Sequence, residues 1–249
     1  MYWIKAGSPK IVLLSEGWVT KCQGKISGQN SQVIFSPVLS PKNHISPSNF
    51  VHVENPYAYR CPWNSSSIEE CGERAIAHLE RVINFENPDA VAAILLEGES
   101  GSSGCMKYPP MYLKKVRDIC DKYGIMLIAD EIQAGFARTG KMFATEYLGI
   151  EPDMVTMAKG IAGGFPISAV VGKADVMDSA PAGGLGGTYA GSPMGCVAGL
   201  EVLKIIEEEQ LCAKAIGIGE VVNARMTKLQ ETVPQIGQVR TIGAMMAIE

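Results

Sequence analysis

The sequence lacks long hydrophobic runs, has few aromatic residues and carries little net charge. Of its 249 residues 7% are aromatic, and the formal net charge is only −4. The early apolar run at 11–14 is far too short for a signal peptide or a membrane span. Interspersed acids and bases give no indication of a nucleic-acid groove or a basic membrane face. We therefore expect a cytoplasmic protein that binds neither nucleic acid nor membrane.

The cysteines and histidines give no metal or disulfide pattern. The seven cysteines are odd in number and none has CxxC spacing, and the three histidines lie far apart. Neither a disulfide framework nor a zinc site is therefore predicted, and we expect no bound metal. The simplest interpretation of each cysteine is a small buried hydrophobic side chain.

The sequence does contain apolar runs that alternate with amphipathic segments. Strands are predicted at 9–14, 89–97, 125–131, 153–158, 167–172 and the C-terminal GAMMAIE, and helices at 67–84, 108–124, 192–209 and 211–231. This alternation is typical of an α/β fold whose mostly parallel sheet is covered by helices on both faces. The Pro-, Ser- and Asn-rich region 20–50 has no sustained period and predicts a loop.

Two charged residues stand at predicted strand ends. Asp130 closes the apolar run LIAD, and Lys159 directly follows another strand and precedes a Gly-rich turn. Ligands of such sheets bind at the carboxyl ends of the strands. Taken alone, Lys159 is best interpreted as reaching to solvent, and Asp130 as a helix cap or a partner of Arg138. Together they match pyridoxal phosphate, which needs a lysine for its aldehyde and a carboxylate for its ring nitrogen.

Three segments carry a family resemblance: LIADEIQAGFARTG, PDMVTMAKGIAGGFPISAVVG and GGLGGTYAGSP. They are similar to the class III aminotransferases, and most similar to the 4-aminobutyrate aminotransferase-like members. Asp130, Lys159 and Thr188 follow one another at intervals of 29 residues, as in that family. The resemblance implies the large domain of fold type I of the pyridoxal-phosphate-dependent transferases. It divides the chain into an irregular segment with one short strand at 1–50, the cofactor-binding domain at 51–235 and the start of another domain at 236–249.

The resemblance also implies roles for individual residues. Lys159 would form a Schiff base with the cofactor and shuttle the proton, and Asp130 would pair with the pyridinium. Ile132 would pack on one ring face and Gln133 would donate to the ring hydroxyl oxygen. Thr188 would reach the cofactor phosphate of a partner subunit, which implies a homodimer. The reaction would move an amino group from an amino acid or ω-amino donor, 4-aminobutyrate- or taurine-like, to a 2-oxo acid.

Several positions depart from the family pattern. Trp18 stands where the family has an aromatic-His-Gly turn, and it is a candidate to stack on the second ring face. Ser102 stands where many amino-acid-specific members have a glutamate, which argues for an ω-amino or taurine-like donor. Glu131 has no family role, and a salt bridge with Arg138 is expected.

The chain is also shorter than the family members, and we expect it to be incomplete at both ends. A cofactor phosphate needs several convergent donors, and here Thr188 is the one that can be identified. The sequence therefore predicts weak cofactor affinity and low turnover. The alternative is a catalytically inactive truncated remnant, or a non-catalytic oligomer partner of such an enzyme.

Overall fold

The structure, a computed structural model, describes residues 10–14, 50–180 and 187–249. Its main feature is a six-stranded sheet, and a two-stranded hairpin lies near the C-terminus. The strands are β1 Lys10–Leu14, β2 Phe50–His52, β3 Val91–Glu97, β4 Met126–Asp130, β5 Met154–Met157, β6 Ala169–Gly172, β7 Val239–Ile242 and β8 Met245–Ile248. The helices are α1 Ile68–Phe85, α2 Tyr112–Tyr123, α3 Ala174–Met177, α4 Pro193–Glu208 and α5 Leu211–Gln230.

The strand order of the main sheet is β2-β1-β3-β4-β5-β6. Each neighbouring pair from β2 to β5 is parallel, and only β6 runs antiparallel to its neighbour. The predicted α/β class with a mostly parallel sheet is confirmed. Strands buried by helices read as continuous apolar runs, and this explains why β3 and β4 were visible in the sequence.

The best-defined core lies between this sheet and the helices α1 and α2. In α1 the buried residues Cys71, Ala75, Leu79 and Ile83 recur every four residues, which places them on one helical face. The N-cap Ser67 accepts a hydrogen bond from the Glu70 N–H at 3.1 Å. This capping orients α1, so that its apolar face packs on the buried residues of β3 and β4.

Helix α2 begins later than the sequence predicted. It starts at Tyr112 rather than near residue 108, because Pro109 and Pro110 precede it and Met111 adopts a left-handed φ of 65°. A residue before proline is kept out of the helical region, so the two prolines delay the helix. Its end is as predicted, at Gly124 with φ 65°.

Two short strands were not predicted. Strand β2 pairs with β1, and β7 forms an antiparallel hairpin with β8, the strand expected in GAMMAIE. Both are three or four residues long, too short to show a clear period.

The expectation that each cysteine is buried is correct for only some of the described cysteines. Three of the described cysteines are buried: Cys71, Cys105 and Cys120. Cys61 and Cys212 are half-buried and Cys196 is exposed, which corrects the expectation for these three. The reason is local, since Cys61 lies in a turn and Cys196 on an open face of α4.

Two sequence-based expectations fall outside the described residues. Trp18 and nearly all of the irregular region predicted at 20–50 lie outside the residues that the structure describes. Within the described ranges, no helix combines the length and the hydropathy needed to cross a membrane.

Candidate cofactor site at the strand ends

Three neighbouring strands end at the same edge of the sheet. In the β3–β4 register Glu97 lies opposite Asp130, and in the β4–β5 register Asp130 lies opposite Thr156. Register partners in a parallel sheet point to the same face. Glu97 and Asp130 are therefore neighbouring carboxyl groups at the carboxyl edge, where ligands of this fold class bind.

Asp130 is half-buried at the end of β4. Its Oδ1 accepts a hydrogen bond from the Ile132 N–H at 2.9 Å. Burial raises the pKa of Asp130, while the Ile132 bond and the nearby Lys159 charge oppose that rise. Asp130 and Lys159 thus lie close enough to interact electrostatically, and both stand at the carboxyl ends of neighbouring strands.

Lys159 is the first residue of the 3-10 turn Lys159–Ala162, just beyond β5. Its φ of 48° lies in the left-handed region, and its side chain is exposed. This exposure agrees with the interpretation of Lys159 taken alone, as a side chain that reaches to solvent.

Glu97 is an ionisable neighbour that sequence reasoning missed. Its Oε2 accepts from the Gly101 N–H at 2.6 Å. Burial raises the pKa of Glu97 to about 7, and the nearby charge of Asp130 adds to this rise. The hydrogen bond from Gly101 and the nearby charge of Lys159 both act to lower the pKa. The available signal was the same as for Asp130, an acid that closes a buried apolar run.

The raised pKa of Glu97 predicts a pH-dependent stability. The folded-state pKa of about 7 exceeds the ordinary value of 4.5, so the protonated carboxyl stabilises the folded state. This contribution to the free energy of unfolding is fully present below pH 4.5. It falls by roughly 2–3 kcal/mol as the pH rises through 7. Urea unfolding at pH 5 and pH 8 measures the loss. Glu97→Gln, which cannot ionise, should reduce it.

The control for this prediction is Glu220→Gln on the exposed side of α5. It should keep the whole pH dependence. Part of the dependence should also survive in Glu97→Gln, because burial raises the pKa of Glu99 to about 7 as well. Equal pH dependence in Glu97→Gln and in the parent chain would contradict the assignment.

Ile132 and Gln133 follow Asp130 in a turn and are both half-buried. The Gln133 amide packs directly against Gly101, where any Cβ would overlap it. Gly101 also donates to Glu97, so one glycine adjoins two side chains of the strand-end cluster. Sequence reasoning missed this glycine because the contact is made between two separate loops.

Glu131 corrects an expectation. It was predicted to pair with Arg138, but its fully buried carboxylate accepts from the N–H groups of Ala144 and Thr145 at 3.0 and 2.8 Å. These amides begin the 3-10 turn Ala144–Tyr147, whose N–H groups have no partner within the turn. Burial raises the pKa of Glu131, and the two amide bonds oppose that rise. Arg138 is exposed.

Thr188 is exposed in a turn that precedes α4. Helix α4 packs on the 3-10 turn that begins at Lys159. The role predicted for Thr188 needs a second subunit, so its place in one chain leaves that role a prediction.

The residues at this edge fit pyridoxal phosphate. Lys159 presents an exposed primary amine, which is the group that an aldehyde requires. Asp130 presents a half-buried carboxylate, and a cation placed against such a group favours its charged form. A protonated ring nitrogen is a cation of this kind. The Thr188 hydroxyl is a candidate phosphate donor.

Comparison with known proteins first defines the class. The structure of taurine:2-oxoglutarate aminotransferase from Bifidobacterium kashiwanohense, in complex with PLP and glutamate, superposes with a TM-score of 0.77 at 34% identity. The match covers 82% of this chain and 46% of that one. The fold is thus that of the large domain of the fold type I pyridoxal-phosphate-dependent transferases.

The sequence comparisons then give the family. The family described as Aminotransferase class-III matches residues 5–249, and the chain belongs to it. The 4-aminobutyrate aminotransferase of Escherichia coli is 47% identical over 192 residues, which are 77% of this chain and 44% of that protein. The 5-aminovalerate aminotransferase of Pseudomonas putida is 48% identical over 176 residues, 70% of this chain and 41% of that protein. The chain spans less than half the length of these relatives.

Proposed function

We propose that this chain forms the large domain of a pyridoxal-phosphate-dependent aminotransferase. The enzyme moves an amino group from an amino acid or ω-amino donor to a 2-oxo acid. The observation that carries the proposal is the position of Asp130 and Lys159 at the carboxyl ends of the neighbouring strands β4 and β5. Membership of the class III family supports it independently.

Pyridoxal phosphate, when bound, supplies an electron sink for the negative charge that develops on the substrate carbon. Lys159 is the residue that moves the proton in this proposal. Its exposed amine at the strand edge would accept the proton from the donor carbon and deliver it to the cofactor carbon.

Asp130 would hold the ring nitrogen in its protonated form. Its Oδ1 is fixed by the Ile132 N–H, and this bond orients the carboxylate. Ile132 would pack on one ring face, for which a β-branched side chain with a stiff χ1 is suited. Gln133, positioned against Gly101, would donate to the ring hydroxyl oxygen.

The donor in this proposal is an ω-amino compound. Ser102, exposed in the turn that follows Glu97, occupies the position where a glutamate is common in amino-acid-specific members. Two relatives are named for 4-aminobutyrate and 5-aminovalerate, and a similar structure for taurine. All three compounds carry their amine at the end remote from the acid group.

The proposal includes a homodimer. Helix α4 exposes a stripe of apolar side chains at Met194, Val197 and Leu200, each more than 65% exposed. Residues three apart share one helical face, so these form a continuous apolar strip. A second copy that covers the strip would place Thr188, just ahead of α4, at the interface.

A cytoplasmic location also belongs to the proposal. The cysteines that the structure describes from Cys61 onward are free thiols. Free thiols are typical of a reducing compartment.

The experiment is an absorption spectrum of the chain titrated with pyridoxal phosphate, before and after borohydride, followed by a donor screen. We expect a visible band that borohydride fixes as a covalent adduct on the peptide containing Lys159. Light scattering on the same samples measures the oligomeric state. The titration also tests the weak cofactor affinity that the sequence predicts.

The donor screen compares 4-aminobutyrate, 5-aminovalerate and taurine with α-amino acids, using 2-oxoglutarate and pyruvate as acceptors. Amino transfer produces a new amino acid from the acceptor, whereas racemisation or decarboxylation does not. A chain that shows no band and no transfer would instead fit the non-catalytic alternative.

A further inference from the structure

A pair of cysteines lies away from the strand-end cluster, where a short turn meets α1. Cys61 ends the 3-10 turn Ala58–Arg60 and is half-buried. It lines an open groove of about 530 Å³, formed by residues 58–61, 64 and 65. A small solute in the groove can therefore reach the Cys61 sulfur.

The second cysteine, Cys71, is fully buried on the inner face of α1. The Cys61 and Cys71 thiols lie close enough to affect each other's pKa. The turn is attached to α1 next to them, because Arg74 Nη1 donates to the Trp63 carbonyl at 2.9 Å. The Trp63 ring also contacts the His78 ring, with centroids 5.7 Å apart. The turn that carries Cys61 is thus held against the helix that carries Cys71.

The two thiols have opposite chemical character. The Cys61 Sγ lies 3.2 Å from the Ser65 Oγ. Burial raises the pKa of Cys61, but the hydrogen bonds with Ser65 and Cys71 outweigh it and lower the pKa to about 7. Burial raises the pKa of Cys71 to about 12. Cys61 is therefore partly exposed and about half thiolate at pH 7, and its neighbour Cys71 is a buried thiol.

We propose that Cys61 and Cys71 form a reversible peroxide-oxidisable pair, with Cys61 as the attacking sulfur and Cys71 as the resolving one. The Cys61 thiolate attacks one peroxide oxygen, the O–O bond breaks, and the other oxygen leaves as an alkoxide or hydroxide that takes up a proton. Cys61 becomes a sulfenic acid. The Cys71 sulfur then attacks the Cys61 sulfur, the S–O bond breaks, and water leaves with the Cys71 proton.

The product is a disulfide between the turn and α1, and a dithiol reductant restores both thiols by exchange. The short chain separation of Cys61 and Cys71 and the interaction of their thiols favour this pairing over any other in the described residues. The inference does not depend on the cofactor or on transaminase activity, since neither cysteine belongs to the strand-end cluster.

The test is treatment of the reduced chain with hydrogen peroxide, followed by mass spectrometry of a non-reducing digest. We expect a mass loss of two hydrogen atoms, a Cys61–Cys71 linked peptide, and full reversal by dithiothreitol. Cys71→Ala should accumulate a Cys61 sulfenic acid that dimedone captures. Cys61→Ala should give neither product. Cys196→Ala, which removes an exposed cysteine on α4, should behave like the parent chain.

A second measurement is the rate at which iodoacetamide alkylates Cys61 at different pH values. It is made in the parent chain and in Cys71→Ser. For a pKa near 7, the rate in the parent chain should rise about tenfold from pH 6 to pH 8 and then level off. Charged or titratable side chains nearby are Arg60, Glu70, Arg74 and His78. Histidine alone among these types ordinarily changes charge in this range, so His78→Gln is the control.

The proposal is overturned if Cys61 stays unreacted in the parent chain, or if it pairs as readily with Cys196 as with Cys71. A rate that continues to rise steeply above pH 8 would also overturn the assignment of Cys61 as the attacking thiolate. Circular dichroism of Cys71→Ala and Cys71→Ser, with one small and one isosteric replacement, checks that the variants compared are folded.

Discussion

Replacing Lys159 with alanine is expected to abolish borohydride labelling by pyridoxal phosphate and to lower turnover by about 10²–10⁴-fold. In the proposed function one amine both holds the cofactor aldehyde and moves the proton, and loss of a positioned acid–base group alone has an effect of that size. Because Lys159 is exposed, its removal should leave the folded state nearly as stable as before. The measurements are borohydride labelling, single-turnover amino transfer and urea unfolding.

A matched control is Lys204→Ala. Lys204 is a surface lysine on α4, 57% exposed, whose Nζ lies 3.6 Å from Glu201 Oε1. This variant should keep labelling and turnover, since a surface ion pair of this kind contributes little. If Lys159→Ala were labelled and turned over like Lys204→Ala, the assignment of the reactive amine would be wrong.

Replacing Glu131 with alanine is expected to lower the free energy of unfolding by about 3 kcal/mol. The carboxylate satisfies two buried N–H groups, at Ala144 and Thr145. Each donor left without a partner costs roughly 1–3 kcal/mol. Urea unfolding at pH 7 measures the change. Glu131→Gln should lose less, because the amide oxygen can still accept a bond although the amide NH₂ cannot.

The comparison residue for this prediction is Glu146, in the same 3-10 turn. Its Oε1 accepts the Phe143 N–H at 2.8 Å, but this bond is exposed to water. Glu146→Ala should therefore cost less than about 1 kcal/mol, because water can replace the lost acceptor. Equal losses in Glu131→Ala and Glu146→Ala would show that burial of the Glu131 bonds is not the cause.

The sequence predicted correctly those features that depend on one residue type within one local pattern. Asp130 and Lys159 could be located because each stands where an apolar run stops, and parallel strands bring such ends to one edge. Helix α1 could be placed because its N-cap and its four-residue apolar spacing agree. These signals need only neighbouring residues.

The features that were missed depend on contacts between distant parts of the chain. Glu131 bonds to amides 13 and 14 residues away, and no local pattern shows that the 3-10 turn approaches it. Cys61 resembles any small apolar residue until its contacts with Ser65 and Cys71 are known. The role of Gly101 appears only once the Gln133 side chain lies against it. The domain boundaries expected from the sequence stay a prediction.

The register between β3 and β4 sets a requirement on folding accuracy. Glu97 lies opposite Asp130, and successive side chains along a strand alternate between faces. A slip of β3 by a single residue would send Glu97 to the opposite face of the sheet and expose the apolar set that now packs on α1 and α2. A misaligned sheet would therefore lose its core packing and its pair of neighbouring carboxyl groups together. A chain with misaligned strands would be too unstable to persist as a folded protein with a defective site.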